Sequence, residues 1–334
     1  MRTVALIAES GPGAMGPAVA RALERLGLEV RFVEAPETRV RLESQSLSRL
    51  LRPINAMAVR AFETEILVQL IRSRSDLVLF QKSDRFHRSF YRALRRLTPS
   101  TLVAFHPDDP FNTGSLLQPA PSHRRALIQL QEVDLVLTWS HRLMERISRV
   151  TDARVEFMPF AFEPPAPGAP SAKDFDVGFV GTWDHERETW LSSVADLGLR
   201  IWGSNYWTTR CRNPKLSECW QGRPMMGEKM TEVVRSTAIN LNILRIQNKN
   251  ACNMRSFEIP GAGGFLLQEQ SSEYERLFRP GEHFDSFRSV SELREKIRYY
   301  LENPGARERI AANGFALAQN YTYDAWARRM LDVV

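Results

Sequence analysis

The alternation of short apolar runs with helical patterns limits this chain more than any other feature. Apolar runs stand at Val4–Ala8, Val30–Val33, Leu77–Phe80, Leu102–Phe105, Leu135–Thr138 and Val155–Met158. Helical patterns lie between them at Ala14–Leu26, Ala56–Arg72, Phe86–Leu97, His123–Gln131 and His141–Ser148. Runs this short, spaced by helices, predict βαβ units and a parallel sheet covered on both faces. The stretch "PFAFEPPAPGAPSAKD", Pro159 to Asp174, interrupts the series with five prolines and a glycine. It can continue neither a helix nor a central strand, and reads as a linker.

After it the alternation resumes. Strands are expected at "FDVGFVGTW", Leu199–Trp202, Ala238–Leu241, Gly264–Leu267 and His283–Phe287. Helices are expected at His185–Leu197, Glu228–Arg235, Asn253–Pro260, Ser272–Leu277, Val290–Leu301, Ala306–Gln319 and Tyr323–Leu331, with Gly203–Gly227 irregular. The result is two α/β halves of similar size, with no short-period repeat.

No window approaches ~18 consecutive apolar residues, so no membrane span is expected. The first apolar stretch is too short for a signal peptide and suits a buried strand. Cys211, Cys219 and Cys252 lack C-x-x-C spacing, which points to reduced thiols, a cytoplasmic protein and no zinc site. The net charge of +6 comes mostly from residues 1–165, which hold 23 Lys and Arg against 18 Asp and Glu. Its densest part is Arg85 to Arg96, "RFHRSFYRALRR". As a helix it has one apolar stripe and a basic remainder: either a solvated face or a peripheral contact with anionic lipid, at the inner membrane face, or with an acidic acceptor. No RNP, zinc-finger or helix-turn-helix signature accompanies the charge, so nucleic acid is not the expected partner.

"GPGAMG", with Gly11, Gly13 and Gly16 after the first strand and Glu34 ending the next, spells the dinucleotide fingerprint. One reading is an NAD(P)-dependent oxidoreductase. The same turn serves wherever backbone must approach a ligand at a helix N-terminus. Pro12 inside it removes an N–H that a pyrophosphate would use, and Glu34 is also explained as a solvated strand end. In a chain of two doubly wound halves, the turn reads better as an acceptor-side loop.

The stronger signal lies in the second half. Asn253-x-Arg255-x-Phe257-Glu258, Gly261-x-Gly263-Gly264-Phe265-Leu266-Leu267, "LFRPGEH", "YYLENP" and "YTYDAWARRM" recur in order, preceded by "VGFVGTWDHERETWL" and "INLNI". Together these resemble the carboxyl-terminal half of the glycosyltransferases related to the spore-maturation protein CgeB. "FHPDDPFN" resembles the Asp-Asp-Pro loop in the first half of some relatives. The resemblance covers residues 155–334 closely and the first half loosely. It implies a GT-B fold: two Rossmann-like, doubly wound domains facing across a cleft. The expected domains are 1–160 on the acceptor side, a linker at 161–173, and a nucleotide-sugar-binding domain at 174–320. A helix over 321–334 would return to the first domain. The implied activity is metal-independent hexosyl transfer in bacterial cell-surface glycan synthesis. The donor would be a nucleoside-diphosphate sugar, UDP-linked by preference, and the acceptor a glycan, lipid-linked or other small molecule. The nucleotide sugar is a substrate, so no cofactor is expected. A scaffold that binds glycan or membrane without turnover is the non-enzymatic alternative.

The residues suit that chemistry. The resemblance makes Glu258 a ribose-binding carboxylate; a salt bridge to Arg255 is the plainer reading. Gly181 ends a strand just before a helix, which turns N–H groups toward an anion. Arg187 and Arg255 offer permanent, bidentate cations for a diphosphate, unless they are a surface arginine and an ion-pair partner. Gly222 and Arg223 lie in the region that in GT-B enzymes touches the base. Asn253, Gly263 and Gly264 complete the donor set. His106, Asp108 and Asp109 follow a strand and are the candidate bases for an acceptor hydroxyl, or else an Asx-type turn. Adjacent aspartates differ in spacing from a metal-binding Asp-x-Asp, so no metal is expected. Asn250 stands where many retaining enzymes place the first Glu of Glu-x7-Glu, which leaves the anomeric outcome open.

Overall fold

The structure is a computed structural model. It describes residues 2–11, 13–35, 52–81, 86–111, 114–115, 118–119, 123–166, 172–245 and 249–334. Pro12, Arg85 and much of the Pro-rich stretch, 167–171, lie outside the described residues. The chain divides into two compact units: Met1–Met158 with Ala327–Val334, and Pro159–Trp326.

The first unit alternates β1 (Thr3–Ala8), α1 (Gly16–Arg25), β2 (Glu29–Glu34), α2 (Arg52–Ser73), β3 (Leu77–Gln81), α3 (Arg88–Leu97), β4 (Thr101–His106), α4 (His123–Glu132), β5 (Leu135–Thr138), α5 (His141–Ser148) and β6 (Arg154–Phe157). Its six parallel strands stand in the order β2-β1-β3-β4-β5-β6. β1, β3 and β5 are buried along their whole length, as near-continuous apolar strands between helices must be. The charged strands β2 ("EVRFVE") and β6 ("RVEF") take the edges, where polar side chains reach solvent.

The second unit contains β7 (Phe175–Val180), α6 (His185–Ser192), β8 (Leu199–Trp202), α7 (Tyr206–Thr209), α8 (Pro214–Cys219), β9 (Trp220–Gly222), α9 (Glu228–Ser236), β10 (Thr237–Asn242), α10 (Arg255–Gly261), β11 (Leu266–Glu269), a 3-10 turn at Tyr274–Arg276, β12 (Asp285–Phe287), α11 (Val290–Glu302), α12 (Pro304–Ala318) and α13 (Tyr323–Val333). From Ala327 on, α13 is counted with the first unit. The six strands are parallel, in the order β9-β8-β7-β10-β11-β12. That is the doubly wound 3-2-1-4-5-6 order, with its reversal between β7 and β10. Phe179, Trp207, Ile239, Leu241, Phe265 and Phe287 are all nearly inaccessible and centre its core, each side chain contributing on the order of 1.5–3 kcal/mol of burial.

Two local findings depart from the sequence reading. Gly203–Gly227 is not irregular: it holds α7, α8 and edge strand β9, which is too short to show a period. The early prolines do not form a free tether either. Phe162 is buried, exchanges backbone hydrogen bonds with Tyr321 and Tyr323, and lies so close to Gly261 that a Cβ there would come within 2.3 Å of its ring.

In the first unit the third motif glycine has a packing role. A Cβ at Gly16 would stand 2.6 Å from the Cβ of Ala8 and 2.7 Å from the backbone oxygen of Glu9. Glycine therefore lets α1 lie directly on β1. Gly16→Ala should cost about 1–3 kcal/mol through overpacking against backbone that cannot yield. A urea midpoint unchanged from wild type would show that α1 can move aside.

Candidate functional site

In an open parallel sheet, ligands bind beyond the carboxyl ends of the strands, where the order reverses. In the second unit that place is the end of β7 and β10. β7 leads into Gly181, whose N–H donates to Trp202 O at 2.9 Å and whose carbonyl accepts from Trp207 Nε1 at 2.9 Å. A Cβ at Gly181 would meet the Phe179 ring at 2.7 Å, so the turn admits no side chain. One strand over, Gly203 N–H donates to Gly222 O at 3.0 Å, while Trp220 Nε1 donates to Gly203 O at 3.1 Å. Gly222, with φ +121°, ends β9; the exposed Arg223 follows it. Three strands thus finish in glycine-containing turns, two of which are locked by indole hydrogen bonds.

Asp184 caps α6: its Oδ1 accepts from the N–H groups of Glu186 and Arg187 at 3.1 and 3.0 Å. Such caps are worth about 1 kcal/mol. Arg187, on the first turn, departs from the sequence expectation. Its side chain is 8% exposed; Nε and Nη2 both donate to Ile243 O, at 3.0 and 2.9 Å, and Nη1 donates to Thr182 O at 3.0 Å. It is a pin joining the β7 turn to the end of β10 rather than an open clamp, because burial makes each of its N–H groups seek a carbonyl. Burial pulls its pKa down to about 10; Asp184 opposes this, while Arg245 and Arg255 add to it. It stays cationic at neutral pH.

A ring of charges surrounds this pin. Arg245 Nε stands 3.7 Å from Asp184, and Lys249 Nζ lies 2.6 Å from Glu186 and pairs with Glu269. Arg255 pairs with Glu258 across one turn of α10, both side chains about a quarter exposed, and its Nε reaches Val180 O at 3.4 Å. Sequence reasoning named Arg187, Arg255 and Glu258 but missed Asp184, Glu186, Arg245, Lys249 and Glu269. The N-cap pattern Asp184-x-Glu186 was readable; the pairing across strands was not.

Asn253 also differs from expectation. Its Nδ2 donates to Asn242 Oδ1 at 3.0 Å, and its Oδ1 accepts from Asn242 Nδ2 at 3.0 Å and from Ser256 N at 3.1 Å. Asn242 Nδ2 and Ser256 Oγ both donate to Gln268 Oε1 at 2.7 Å. The amide is consumed in fixing the start of α10, so it positions Arg255 instead of meeting a ligand. Gly263 and Gly264 are displaced from the donor set. α10 reverses the chain, which leaves them at the amino end of β11, the opposite edge of the sheet. Gly263 takes φ +83° to end the helix, and a Cβ on Gly264 would strike Val234 at 2.4 Å. Asn250 adopts φ +59°, a left-handed conformation that asparagine tolerates far better than glutamate.

In the first unit, His106 is buried at the end of β4 and Asp108 is exposed. Asp109 accepts from Phe111 N at 2.8 Å and pairs with Arg146 at 3.3 Å, the Asx-type turn that its prolines favour. Gly13 takes φ +76° in the first turn. Glu34 accepts a hydrogen bond from Ser10. On α3, Arg88 and Arg92 face Glu132 at 3.4 and 3.8 Å, and Arg95 pairs with Asp134 at 2.7 Å. Among the described residues, no three His, Cys, Asp or Glu side chains cluster as a metal site would require, and no helix is long and apolar enough to cross a membrane. The three cysteines are free; burial pushes Cys211 up to about 11 and raises Cys219 and Cys252.

These two sheets define a class. Residues 187–332 match the family model described as glycosyl transferase-like. Sucrose-phosphate synthase from Thermosynechococcus elongatus is similar over 100% of this chain and 98% of its own, with TM-score 0.75 and 14% identity. Anabaena HepE, solved in complex with UDP-glucose, is similar over 100% and 99%, with TM-score 0.68 and 11% identity. A glycosyltransferase from Rickettsia africae is similar over 99% and 97%, with TM-score 0.68 and 11% identity. No curated protein matches the sequence. The chain has the GT-B fold of glycosyltransferases, and its second half carries the glycosyl transferase-like sequence pattern.

One carboxylate beside the site reports on its integrity. Glu188 accepts from Arg212 N at 2.7 Å, Asn213 N at 3.1 Å and Trp183 Nε1 at 2.8 Å. Burial alone would raise its pKa, but these hydrogen bonds outweigh burial and hold it below the usual 4.5. The stabilisation is complete above that value and is lost as pH falls through the lower, folded-state value. Glu188→Gln should therefore cost about 1–3 kcal/mol at pH 7. The gap from wild type should narrow below about pH 4. A gap independent of pH in paired denaturation curves would rule out an ionised Glu188 as the anchor.

Proposed function

We propose that this protein is a glycosyltransferase of the CgeB-like kind. It moves a hexose from a nucleoside-diphosphate donor, UDP-linked by preference, to a hydroxyl of a glycan, lipid-linked or other small acceptor. The observation that carries the reading is the Arg255–Glu258 pair at the start of α10, beside the end of β7, in the unit whose sequence matches glycosyltransferases.

The chemistry follows from charge. The bond between the anomeric carbon and the diphosphate oxygen breaks, its electron pair leaves on the diphosphate, and the acceptor oxygen bonds to carbon as its proton passes to a base. Arginine cations at the leaving oxygens supply the stabilisation that departure demands without a metal. Arg255 is the partly exposed cation for this role; Arg187 acts by holding the turn and through its field. Glu258 would exchange its ion pair for the ribose diol. Of the proposed bases, Asp108 is the exposed carboxylate, since Asp109 is held by Arg146. The acceptor would meet the first unit near the Gly11–Gly16 turn. A nucleotide-sugar donor places the reaction in the cytoplasm. Membrane contact through Arg85–Arg96 is a weaker element, because Arg88, Arg92 and Arg95 already face carboxylates. A nicotinamide cofactor is not favoured: Glu34 is engaged by Ser10, and Gly16 is explained by packing.

UDP, GDP or dTDP should raise the melting temperature, by the equivalent of about 2.7 kcal/mol at 100 Kd, and NADH and NADPH should not. Glu258→Ala should abolish the UDP shift while keeping the fold. Asp108→Asn should lower kcat by roughly 100-fold or more with UDP binding intact. A shift with NADH alone, or an undiminished UDP shift in Glu258→Ala, rejects the reading.

A further inference from the structure

The outer edge of the second sheet carries charge that the transfer reaction as written leaves unused. Between Gly203 and Gly227 stand Arg210, Arg212, Lys215 and Arg223, against Glu218 alone. All four cations are exposed. Among the described residues, none of them has a carboxylate within ion-pair distance. The arginines of α3 differ, since Arg88, Arg92 and Arg95 each face Glu132 or Asp134. Like charges gathered on one short segment repel one another, a repulsion that an anionic partner relieves.

The fold holds these charges in place. Glu188, the buried carboxylate beneath them, is turned inward and accepts from the N–H groups of Arg212 and Asn213 at 2.7 and 3.1 Å. Asn213 Oδ1 accepts from Lys215 N at 3.1 Å and so caps α8. The Arg210 guanidinium lies over the Tyr206 ring, 3.9 Å from its centroid. Gly203 N–H donates to Gly222 O, which sets Arg223 beside the chain that leads into α7. The cations therefore lie on the one segment, α7 to the end of β9, that closes the outer edge of the sheet. Two large apolar side chains accompany them: Tyr206 is 38% exposed and Met226 42%.

Charge and side-chain type select the partner. Tyrosine beside lysine and arginine suits a bilayer surface, where the ring sits at headgroup level and the cations meet lipid phosphates. A single nucleic-acid strand would instead stack its bases on an open aromatic face, and Arg210 already covers one face of Tyr206. We infer that the segment from α7 to the end of β9 is a docking surface for an anionic lipid bilayer. Its cations stand at the lipid phosphates, with Tyr206 and Met226 at the headgroup boundary. The inference rests on the second unit alone and does not need the transferase reading.

The test sediments the full chain with vesicles of phosphatidylcholine, alone or with about one-third phosphatidylglycerol. The wild type should bind the anionic vesicles in preference to the neutral ones and should be released at about 0.5 M salt. Arg210→Gln, Arg212→Gln and Lys215→Gln combined should weaken binding by about 100-fold, near fivefold for each cation removed. The melting temperature of that variant should stay within about 2 °C of wild type, as exposed substitutions do. Arg223 is spared because it adjoins the expected nucleotide site. Lys215→Glu alone should weaken binding by about 25-fold, which keeps the test open if the triple variant misfolds. Arg92→Gln with Arg96→Gln on α3 should leave vesicle binding within about twofold of wild type. No preference for anionic vesicles, undiminished binding in the triple variant or in Lys215→Glu, or an equal loss in the α3 variant would each overturn the inference. So would tighter binding to single-stranded DNA or polyglutamate than to vesicles at equal charge, which would reassign the surface to nucleic acid or to an acidic protein segment. The UDP shift is read separately, so its failure rejects the transferase reading without touching the vesicle result, and the reverse holds as well.

Discussion

Parallel strands covered by helices on both faces can present polar chemistry only at their ends, and everything else in this protein follows from that constraint. In the first unit the central strands β1 and β3 are apolar and buried, and charged strands stand at the edges of the sheet. In the second unit the carboxyl ends of β7, β8 and β9 close into turns around Gly181, Gly203 and Gly222. Without side chains, those turns can be drawn tight, and the indoles of Trp207 and Trp220 hold the first two. The rigidity lets a small number of charged side chains stand at defined places above the reversal point.

Those charges form pairs. Arg245 faces Asp184, Lys249 faces Glu186 and Glu269, and Arg255 faces Glu258. Partly buried pairs of this kind avoid the cost of an uncompensated cation in the absence of an anion. On the proposed reading, an incoming diphosphate would exchange one set of charge partners for another, and binding would depend on the difference between the two arrangements. Arg187 stands apart in its hydrogen bonds, which go to backbone carbonyls and join two loops, although Asp184 also lies 3.6 Å from its Nε.

β10 shows how a polar strand can be central. "TAINLN" is buried along its whole length. Thr237 Oγ1 and Asn240 Nδ2 donate to the carbonyls of Val233 and Val234, which ties α9 to the strand it precedes. Asn242 ties the same strand to the start of α10. Each polar side chain is satisfied by a neighbouring element, so the strand is held in the middle of the sheet without a wholly apolar sequence.

The element order, the parallel class and most boundaries were legible in the sequence, because apolar runs and helix periods are local. Leu135–Thr138, His141–Ser148 and Leu199–Trp202 were read to the residue. Short edge elements between Gly203 and Gly227 were missed, being too brief to show periodicity. Of the proposed site, residue chemistry brought out Gly181, Arg187, Arg255 and Glu258, while their partners and orientations lay beyond it. Arg187 turned to carbonyls because it is buried; Asn253 turned to Asn242 because that amide lies on an adjacent strand. The sequence by itself determined where chain direction changes and which residues can carry charge. Only the tertiary structure decided which charges meet, and which edge of the sheet each glycine serves, since hydrogen bonds and ion pairs between strands depend on distances that no local pattern encodes.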